Sequence, residues 1–299
     1  MSVSVSIVTY QSASHIDACL AGVEEQGDLV EEVLIADNGS VDDTAERVRA
    51  QHPNVRVLEL GANRGFASAH NANFAGARGE FVLTLNPDVV LGPGYLAEVV
   101  GCMKRNASLG AVTGRLVTPG PVHKIDSAGI SYSPGRSRFI DRGHGAPPAL
   151  YAREEDVFGA CGAAALYRRR AIDAIAQPGE TPFAERLFMY YEDVDLTWRL
   201  RRAGWGVRYC PAAEACHARG GSGASAAFIE YHLIRNRLWV SLRNASPTEL
   251  LAELPGVAVL FGVKVVQSLF RPHLRTALFD QLRGVPASLA ERRRAAVGI

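Results

Sequence analysis

Two groups of acidic residues and one histidine have the chemistry that stands out in this sequence. Asp88 follows an apolar run that starts at Phe81, and such a run predicts a strand buried on both faces that ends near a carboxylate. A second acidic group occupies residues 192–195, and His217 comes after it. Carboxylates and an imidazole that meet in one cleft bind a divalent cation and accept a proton, so these residue types indicate a metal-assisted transfer reaction.

Asp88 is open to two interpretations. A hard cation such as Mg²⁺ or Mn²⁺ is held by one or two protein carboxylates together with phosphate oxygens and water, and a strand-end Asp supplies one such ligand. A strand-end Asp also often does no more than cap the next turn. His217 is more often a structural histidine than a ligand, and its role as a further metal contact depends on Asp88 being one.

The acids at 192–195 open a predicted helix, where the helix dipole stabilises each negative side chain by about 0.3–1 kcal/mol. That effect accounts for one or two of them without any catalytic role. Asp195 and Arg199 are four residues apart and are predicted to form a surface pair. Asp193 is the acid left over, and if its carboxylate faces a cleft it can remove the proton of an attacking hydroxyl as a general base.

Two loops have features of a nucleotide site. Residues 37–40 read as a turn and helix cap, but the Asp37 carboxylate could also accept the imide N–H of uracil or thymine. Residues 61–67 form either a tight turn or a loop that brings backbone amides and Arg64 near phosphate. Neither G-x-G-x-x-G nor G-x-x-x-x-G-K-[ST] occurs, which counts against a dinucleotide oxidoreductase or an NTPase.

Strand-like and helix-like segments alternate through the first hundred residues and must position these side chains. This alternation predicts a mainly parallel sheet with helices on both faces, whose ligands bind at the carboxyl ends of the strands. Thr9, Asp37, Gly61 and Asp88 fall at or just past such ends. The predicted strands are 3–9, 32–36, 55–60 and the one ending at 88, and the predicted helices are 14–26, 41–52, 67–77 and 94–106.

The pattern changes in residues 109–156, where short β-like pieces and Pro-Gly punctuation predict a hairpin or flexible excursion that could cover a substrate. Beyond it the predicted elements are a strand at 163–166, a helix at 168–176, a helix at 192–203 ending at Gly204, and a last strand at 206–209. Residues from 226 onward are predicted to be helical, with a break near Ser246 and Pro247.

Composition excludes several classes of protein. The 299 residues suffice for one large α/β domain with an appendage or for two modest domains, and 32 Lys and Arg against 31 Asp and Glu argue against nucleic-acid binding. Five cysteines without C-x-x-C spacing fit reduced thiols in a cytoplasmic protein. The N-terminus does not read as a signal peptide, and the apolar run 254–263 is too short to span a bilayer.

The tail from residue 255 is apolar and basic. This pattern fits a peripheral contact with an anionic membrane leaflet, and it fits a helical lid or a homodimer contact equally well. Its charged residues are Lys264, Arg271, Arg275, Arg283, Arg292, Arg293 and Arg294 against Asp280 and Glu291.

Six motifs, in their order along the chain, resemble glycosyltransferase family 2 and most closely its bacterial rhamnosyltransferase-like branch. Each motif is weak alone, whereas the ordered set is specific and spans roughly residues 2–240. Two further segments, 199–205 and 235–237, resemble that branch as well. The six motifs are Val8-Thr9-Tyr10, Asp37-Asn38-Gly39-Ser40, Asn63-Arg64-Gly65-Phe66-Ala67, Leu85-Asn86-Pro87-Asp88-Val89, Gly159-Ala160-Cys161-Gly162-Ala163-Ala164 and Tyr191-Glu192-Asp193-Val194-Asp195-Leu196.

The resemblance implies a GT-A fold, a Rossmann-like α/β architecture, in residues 1–240 with a helical tail in 241–299. It implies that Asp193 is the catalytic base, that Asp88 and His217 hold Mg²⁺ or Mn²⁺, and that Glu192 and Gly162 lie on the acceptor side. Asn86 stands where stricter members have Asp, and Gln11 replaces the commoner Asn. The residues implied to bind the donor are Thr9, Tyr10, Asp37, Asn63, Arg64, Gly65, Phe66 and Asn86.

The implied function is metal-dependent, inverting transfer of a sugar from a dTDP or UDP donor, with L-rhamnose favoured. The acceptor is a glycan or a polyprenyl-diphosphate-linked glycan of cell-surface polysaccharide synthesis. One alternative is a nucleotidyltransferase, although residues 3–14 lack the Gly-rich basic phosphate signature of that class. The other is a non-catalytic sugar-nucleotide-binding protein, which would keep Asp37 and dispense with Asp193.

Overall fold

A computed structural model of the chain describes residues 2–136, 138–176, 180–221 and 223–297. Within these residues the strands are β1 (Val3–Thr9), β2 (Val30–Asp37), β3 (Arg56–Glu59), β4 (Phe81–Leu85), β5 (Val89–Leu91), β6 (Leu109–Val117), β7 (Ile125–Ser127), β8 (Ile130–Ser133), β9 (Arg138–Asp141), β10 (Glu155–Asp156), β11 (Ala164–Arg168) and β12 (Gly206–His217). The helices are α1 (Ile16–Glu24), α2 (Thr44–Gln51), α3 (Gly65–Gly76), α4 (Tyr95–Arg105), α5 (Arg169–Ile175), α6 (Glu192–Arg202), α7 (Ala226–Asn244), α8 (Pro247–Ser268), α9 (Pro272–Arg283) and α10 (Val285–Val297).

The main sheet has the strand order β10-β12-β6-β11-β4-β1-β2-β3, with β5 paired to β12 and β7 to β6. Strands β3, β2, β1 and β4 run parallel, as predicted from the alternation of strands and helices. Every residue of β1 and β4 is buried, because helices cover both faces of the sheet. The register pairs Thr9 with Asp37, so the carboxyl ends of β1 and β2 meet at one edge.

The second half of the sheet differs from the prediction in two places. Residues 109–117 form β6, a core strand that was predicted as the start of a hairpin or flexible excursion. In the rest of 109–156, β8 and β9 form a separate two-stranded sheet, whereas β7 and β10 belong to the main sheet. The predicted last strand at 206–209 extends to His217 as β12. Its pairing with β6 slips between Cys210 and Glu214, where Pro211 lies, and this bulge lets the strand pass a residue that cannot donate to the ladder.

The C-terminal helices pack against the sheet domain through a buried charge network. Asp195 accepts hydrogen bonds from Arg199 Nε at 3.0 Å, Arg243 Nη1 at 3.3 Å and Asn244 Nδ2 at 2.7 Å, and its side chain is fully buried. The predicted surface pair between Asp195 and Arg199 is therefore a buried one, because α7 covers it. A cap formed by Ser246 and Glu249 starts α8 at the predicted break. None of the helices in the described part of the chain has the length and apolar composition that crossing a bilayer requires.

Candidate active site

The carboxyl ends of β1 and β2 hold a buried carboxylate. Thr9 Oγ1 donates to Asp37 Oδ1 at 2.8 Å, and Ser40 donates to Asp37 through its backbone N–H at 2.9 Å and its hydroxyl at 2.6 Å. A carboxylate has about four acceptor positions, so these three bonds leave capacity for one more donor, as an imide N–H would require. Tyr10 is half-buried beside this group.

The loop that leads into α3 is a tight turn with its amides already paired. Asn63 Oδ1 accepts the Gly65 N–H at 3.0 Å, the Arg64 N–H donates to Asn38 Oδ1 at 3.1 Å, and the Ala67 N–H donates to the carbonyl of Phe188 at 3.1 Å. These bonds favour the turn over a backbone cradle for phosphate. The Arg64 side chain is exposed, so its guanidinium is the group of this loop best placed to meet an anion.

Asp88 and His217 face each other at the same edge of the sheet, beyond the end of β4. Asp88 follows β4, His217 ends β12, and Asp88 Oδ1 lies 3.4 Å from His217 Nε2, with both side chains more than nine-tenths buried. The Gly221 N–H donates to Asp88 Oδ2 at 3.0 Å. Two ligands of a magnesium-sized ion at adjacent octahedral positions stand about 3 Å apart, so this pair fits a shared divalent cation.

Asp126 of β7, a residue that sequence analysis did not single out, binds the other ring nitrogen of His217 and orients the imidazole. Its Oδ2 lies 2.7 Å from His217 Nδ1, and Arg219 Nε binds its other oxygen. Metal-binding histidines usually donate their second N–H to a carboxylate in this way. No local signal marks Asp126, because the residues around it, Lys124, Ile125 and Ser127, do not form an apolar run.

The buried charges of Asp88, Asp126 and His217 stabilise one another. Burial alone would raise the pKa of Asp88 and of Asp126, but hydrogen bonds and ion pairing with His217 hold both below their ordinary values. Burial would lower the pKa of His217, but the two carboxylates raise it to about 9. A cation held between Asp88 and His217 would replace the imidazolium proton as the compensating charge.

The protein supplies only part of a metal coordination shell. Among the described residues, no three His, Cys, Asp or Glu side chains converge closely enough to hold an ion by themselves. Asn86, two residues before Asp88, has a buried Oδ1 with no hydrogen-bond partner in the described structure. A carbonyl oxygen of this kind suits a hard cation, and the remaining positions suit phosphate oxygens and water.

Asp193 lies in the first turn of α6 and is held from the neighbouring loop. Its Oδ2 accepts the Gly162 N–H at 2.9 Å, and its Oδ1 accepts the Val194 N–H at 2.7 Å. A Cβ on residue 162 would lie 3.2 Å from the Asp193 Cβ, so glycine permits this close approach. Burial raises the pKa of Asp193 to about 6 despite these two hydrogen bonds.

Glu192 is the more deeply buried neighbour of Asp193. It is 6% exposed, and its Oε2 has no hydrogen-bond partner in the described structure. Burial, with the negative charge of Asp193 beside it, raises its pKa well above the ordinary value of a glutamate. A carboxyl kept neutral in this way can donate a hydrogen bond as well as accept one.

A short backbone path joins the two acidic groups at one edge of the sheet. The Asn86 N–H donates to the carbonyl of Ala163 at 2.9 Å, and Ala163 directly follows Gly162, which holds Asp193. Burial, with the negative charges of Glu192 and Asp88, raises the pKa of Tyr190. The structure thus brings the two predicted sites to the same edge of the sheet.

The segment before α6 has unusual backbone geometry that the sequence did not reveal. Phe188, Tyr190 and Tyr191 have φ values of 65°, 67° and 70°, in the region that favours glycine. Such conformations cost about 1–3 kcal/mol each and persist only where the surroundings enforce them. They lie directly before Glu192 and Asp193, so the strain is located where the orientation of α6 is set.

Residues 4–176 match the sequence profile described as Glycosyl transferase family 2. The chain is 32% identical over 246 residues to the N-acetylglucosaminyl-diphospho-decaprenol L-rhamnosyltransferase of Mycobacterium tuberculosis, covering 73% of this chain and 76% of that protein. It is 22% identical over 295 residues to the low-salt glycan biosynthesis hexosyltransferase Agl10 of Haloferax volcanii, covering 94% and 90%.

Two solved structures share the fold over nearly the whole chain. S. aureus TarS in complex with UDP-GlcNAc superposes with a TM-score of 0.63 at 17% identity, over 98% of this chain and 84% of that one. The mannosyltransferase PcManGT from Pyrobaculum calidifontis, solved with GDP-Man and Mn²⁺, gives 0.55 at 20% identity, over 99% and 86%. At these identities the similarity shows a common fold.

Proposed function

The chain belongs to glycosyltransferase family 2 and has the predicted GT-A fold, and from this premise we propose that it transfers L-rhamnose from dTDP-rhamnose with inversion. The proposed acceptor is a hydroxyl of a polyprenyl-diphosphate-linked glycan. The relative from Mycobacterium tuberculosis, named for L-rhamnosyl transfer to such a lipid, supports both assignments. The observation that carries the chemistry is the backbone path from Asn86 through Ala163 to Gly162, which places Asp88 and Asp193 at one edge.

The donor side of the proposed site follows the carboxyl ends of β1, β2 and β4. Asp37 and Thr9 would bind the base and ribose together with Tyr10, because Asp37 has an acceptor position left for an imide N–H. Arg64 would approach the diphosphate from the exposed start of α3. The other residues assigned to the donor are Asn63, Gly65, Phe66 and Asn86.

Asp88 and His217 would hold the divalent cation, Mg²⁺ or Mn²⁺, with Asp126 fixing the imidazole. When bound, the ion neutralises the negative charge that develops on the departing nucleoside diphosphate. PcManGT, solved with Mn²⁺, provides a precedent within the fold. The 3.4 Å separation of the two donor atoms and the unpartnered Asn86 Oδ1 support this assignment.

Asp193 acts as the general base of the proposed reaction. Its carboxylate takes the proton of the acceptor hydroxyl, the hydroxyl oxygen forms a bond to the anomeric carbon, and the bond from that carbon to the diphosphate oxygen breaks on the opposite face. Glu192 and Gly162 lie on the acceptor side of this step. A pKa raised to about 6 leaves Asp193 ionised at neutral pH while keeping it more basic than an exposed aspartate.

Incubation of the full chain with Mn²⁺, a polyprenyl-diphosphate-linked GlcNAc and one sugar nucleotide at a time tests the proposal. The donors are dTDP-rhamnose, UDP-galactose and GDP-mannose, and the readouts are nucleoside diphosphate release and mass of the acceptor. We expect acceptor-dependent release with dTDP-rhamnose and an acceptor heavier by one deoxyhexose. Release of pyrophosphate would indicate a nucleotidyltransferase, and donor binding without release would indicate a sugar-nucleotide-binding protein.

We also propose that this reaction takes place at the cytoplasmic face of a membrane, with α8 and α9 of the helical tail 241–299 in contact with anionic lipid. From Leu251 to Phe270 the exposed side chains of α8 and the turn after it are apolar. Glu253 is buried, and Lys264 is paired with Glu230 at 2.7 Å, so neither charge interrupts this face. We call this surface the α8 face: Leu251, Leu254, Val259, Val263, Val266, Leu269 and Phe270.

Exposed arginines follow the end of the α8 face and supply positive charge for an anionic surface. Arg271 comes directly after Phe270 and pairs with Glu230 at 3.3 Å, and Arg275 and Arg283 are exposed on α9. Phe279 is 65% exposed between them. Apolar side chains bordered by arginines are the pattern of helices that lie in a lipid interface. A lipid surface would suit a polyprenyl-linked acceptor, and self-association through the same face is the competing outcome.

A further inference from the structure

One buried side chain of α7 holds the strained segment that precedes α6. Asn236 is completely buried. Its Nδ2 donates to the carbonyl oxygens of three residues of that segment, at 2.8 Å to Leu187, 2.8 Å to Met189 and 2.9 Å to Tyr190. An amide nitrogen has two N–H groups, so the three carbonyls share two donors. The backbone of the segment must therefore bring all three carbonyl oxygens close to one nitrogen atom.

The orientation of the Asn236 amide is fixed by its neighbour. Arg235 Nε donates to Asn236 Oδ1 at 2.8 Å, and Arg235 Nη2 donates to the carbonyl of Leu187 at 2.8 Å. Because the oxygen end of the amide is occupied, its N–H groups must face the 187–190 carbonyls. The ring of His232, one turn earlier on α7, stacks on Phe188 at 5.2 Å and closes the other side of the segment.

The held segment determines where the first turn of α6 lies. The carbonyl of Tyr191 accepts the Asp195 N–H at 2.9 Å, so the positive-φ residues connect directly into the helix that carries Asp193. On the other side, Asp193 Oδ2 is bound to the Gly162 N–H by one hydrogen bond of 2.9 Å. A shift of the segment would therefore move the carboxylate relative to this bond.

We propose that Asn236 is a positioning residue for Asp193, acting through the three carbonyls of the 187–190 segment. This inference rests on the proposed function, because it takes Asp193 as the base. Asn236 touches neither Asp193 nor the predicted donor residues through any hydrogen bond described in the structure. Its effect should therefore fall mainly on turnover, with a smaller effect on donor binding through the hydrogen bond between the Ala67 N–H and the Phe188 carbonyl.

The test compares Asn236→Leu, which keeps the number and branching of the side-chain heavy atoms and removes the donors, with Asn236→Ser, which retains one donor. Ser241→Ala is the matched control, since Ser241 is also fully buried on α7 but bonds to Glu253. We expect kcat to fall about 100-fold in the Leu variant, as a displacement of about 1 Å in a catalytic group produces, and by less in the Ser variant. The KM for the donor should stay within about threefold, and Ser241→Ala should keep wild-type kcat.

Hydrogen–deuterium exchange supplies a readout that needs no substrate. The backbone amides of residues 186–196 should exchange faster in both Asn236 variants than in the wild type. In Ser241→Ala their exchange rates should equal those of the wild type. Unchanged exchange in that segment, or wild-type kcat in a folded Asn236→Leu protein, would overturn the positioning role. A wild-type protein that transfers no sugar would instead refute the proposed function, while the exchange result would still decide whether Asn236 orders the segment.

Discussion

Asp193 is the residue on which the proposed chemistry depends most directly. Asn at this position keeps the size of the side chain and can still accept the Gly162 N–H, but it cannot take a proton. We expect Asp193→Asn to lower kcat by about 10²–10⁴, the usual contribution of a general base, with the donor Kd nearly unchanged. Calorimetric titration with the donor and a steady-state assay measure both quantities, and wild-type turnover would remove Asp193 from this role.

The raised pKa of Asp193 gives the reaction a defined pH dependence. A base is active when deprotonated, so kcat/KM, which reflects the groups of the protein without bound substrate, should rise with pH, pass its half-maximal value at about 6, and level off at higher pH. The profile is measured between about pH 5 and 8 with metal saturating and both substrates below their KM. The residual rate of Asp193→Asn is the control and should lack this rise; a rise that persists in it would assign the titration to another group.

In the proposed metal site, Asp126 would strengthen metal binding without touching the ion. Replacement by Asn keeps an acceptor for His217 but removes the negative charge that makes the imidazole a stronger ligand. We expect Asp126→Asn to weaken Mn²⁺ binding about 10–100-fold, as loss of such a partner commonly does. Electron paramagnetic resonance titration of free Mn²⁺ measures the affinity. His123→Gln, which alters a contact to the backbone carbonyl of Thr118, is the control and should bind as wild type does.

At the scale of the elements, α3 and the strained segment before α6 are joined at Gly65. This glycine has a φ of +86°, and a Cβ there would lie 2.6 Å from the Phe188 ring and carbonyl. Gly65→Ala should therefore lower both stability and kcat, because Phe188 must move. Gly61→Ala is a matched control, since Gly61 has a φ of +72° with open space around it. It should cost only the backbone strain, about 1 kcal/mol, and thermal unfolding of both variants compares these costs.

Local patterns were sufficient to predict the first half of the sheet. Strands β1 to β4 and helices α1 to α4 follow from apolar runs, helix periodicity and turn residues, all of which act over a few positions. The GT-A fold followed from the order of motifs. Asp88 and Asp193 were recognised because a strand end and a helix start have local signatures.

Features that depend on distant residues escaped this kind of prediction. Asp195 was predicted at the surface because nothing local shows that α7 packs over it. Strand β6 lacked a clear boundary from the turns after it, and the bulge at Pro211 concealed the length of β12. Tyr190 and Tyr191 have positive φ values next to carbonyls that bind Asn236, which lies far along the chain, and no residue near them indicates this geometry.

At the scale of the whole molecule, the C-terminal helices support the elements that carry the proposed active site. Asp195 of α6 is bound to Arg243 and Asn244 of α7, and Asn236 of α7 holds the segment before α6. Removing one partner of a buried ion pair leaves an uncompensated charge, which costs about 3–5 kcal/mol. The tail therefore has an inner side that supports the site, and its outer side, the α8 face, is left available for another contact.

The α8 face gives a prediction about where the whole molecule works. The wild-type protein should float with vesicles that contain anionic lipid, and the bound fraction should fall with salt because arginines border the face. The combined variant Val259→Ser, Val263→Ser and Val266→Ser removes apolar side chains that are already exposed, so folding should be unaffected while vesicle affinity falls at least about tenfold. Val122→Ser, at a site 74% exposed outside the C-terminal helices, is the matched control. A wild-type protein that ignores vesicles but forms dimers in sedimentation, with dimers lost in the triple variant, would assign this face to self-association and refute the membrane contact.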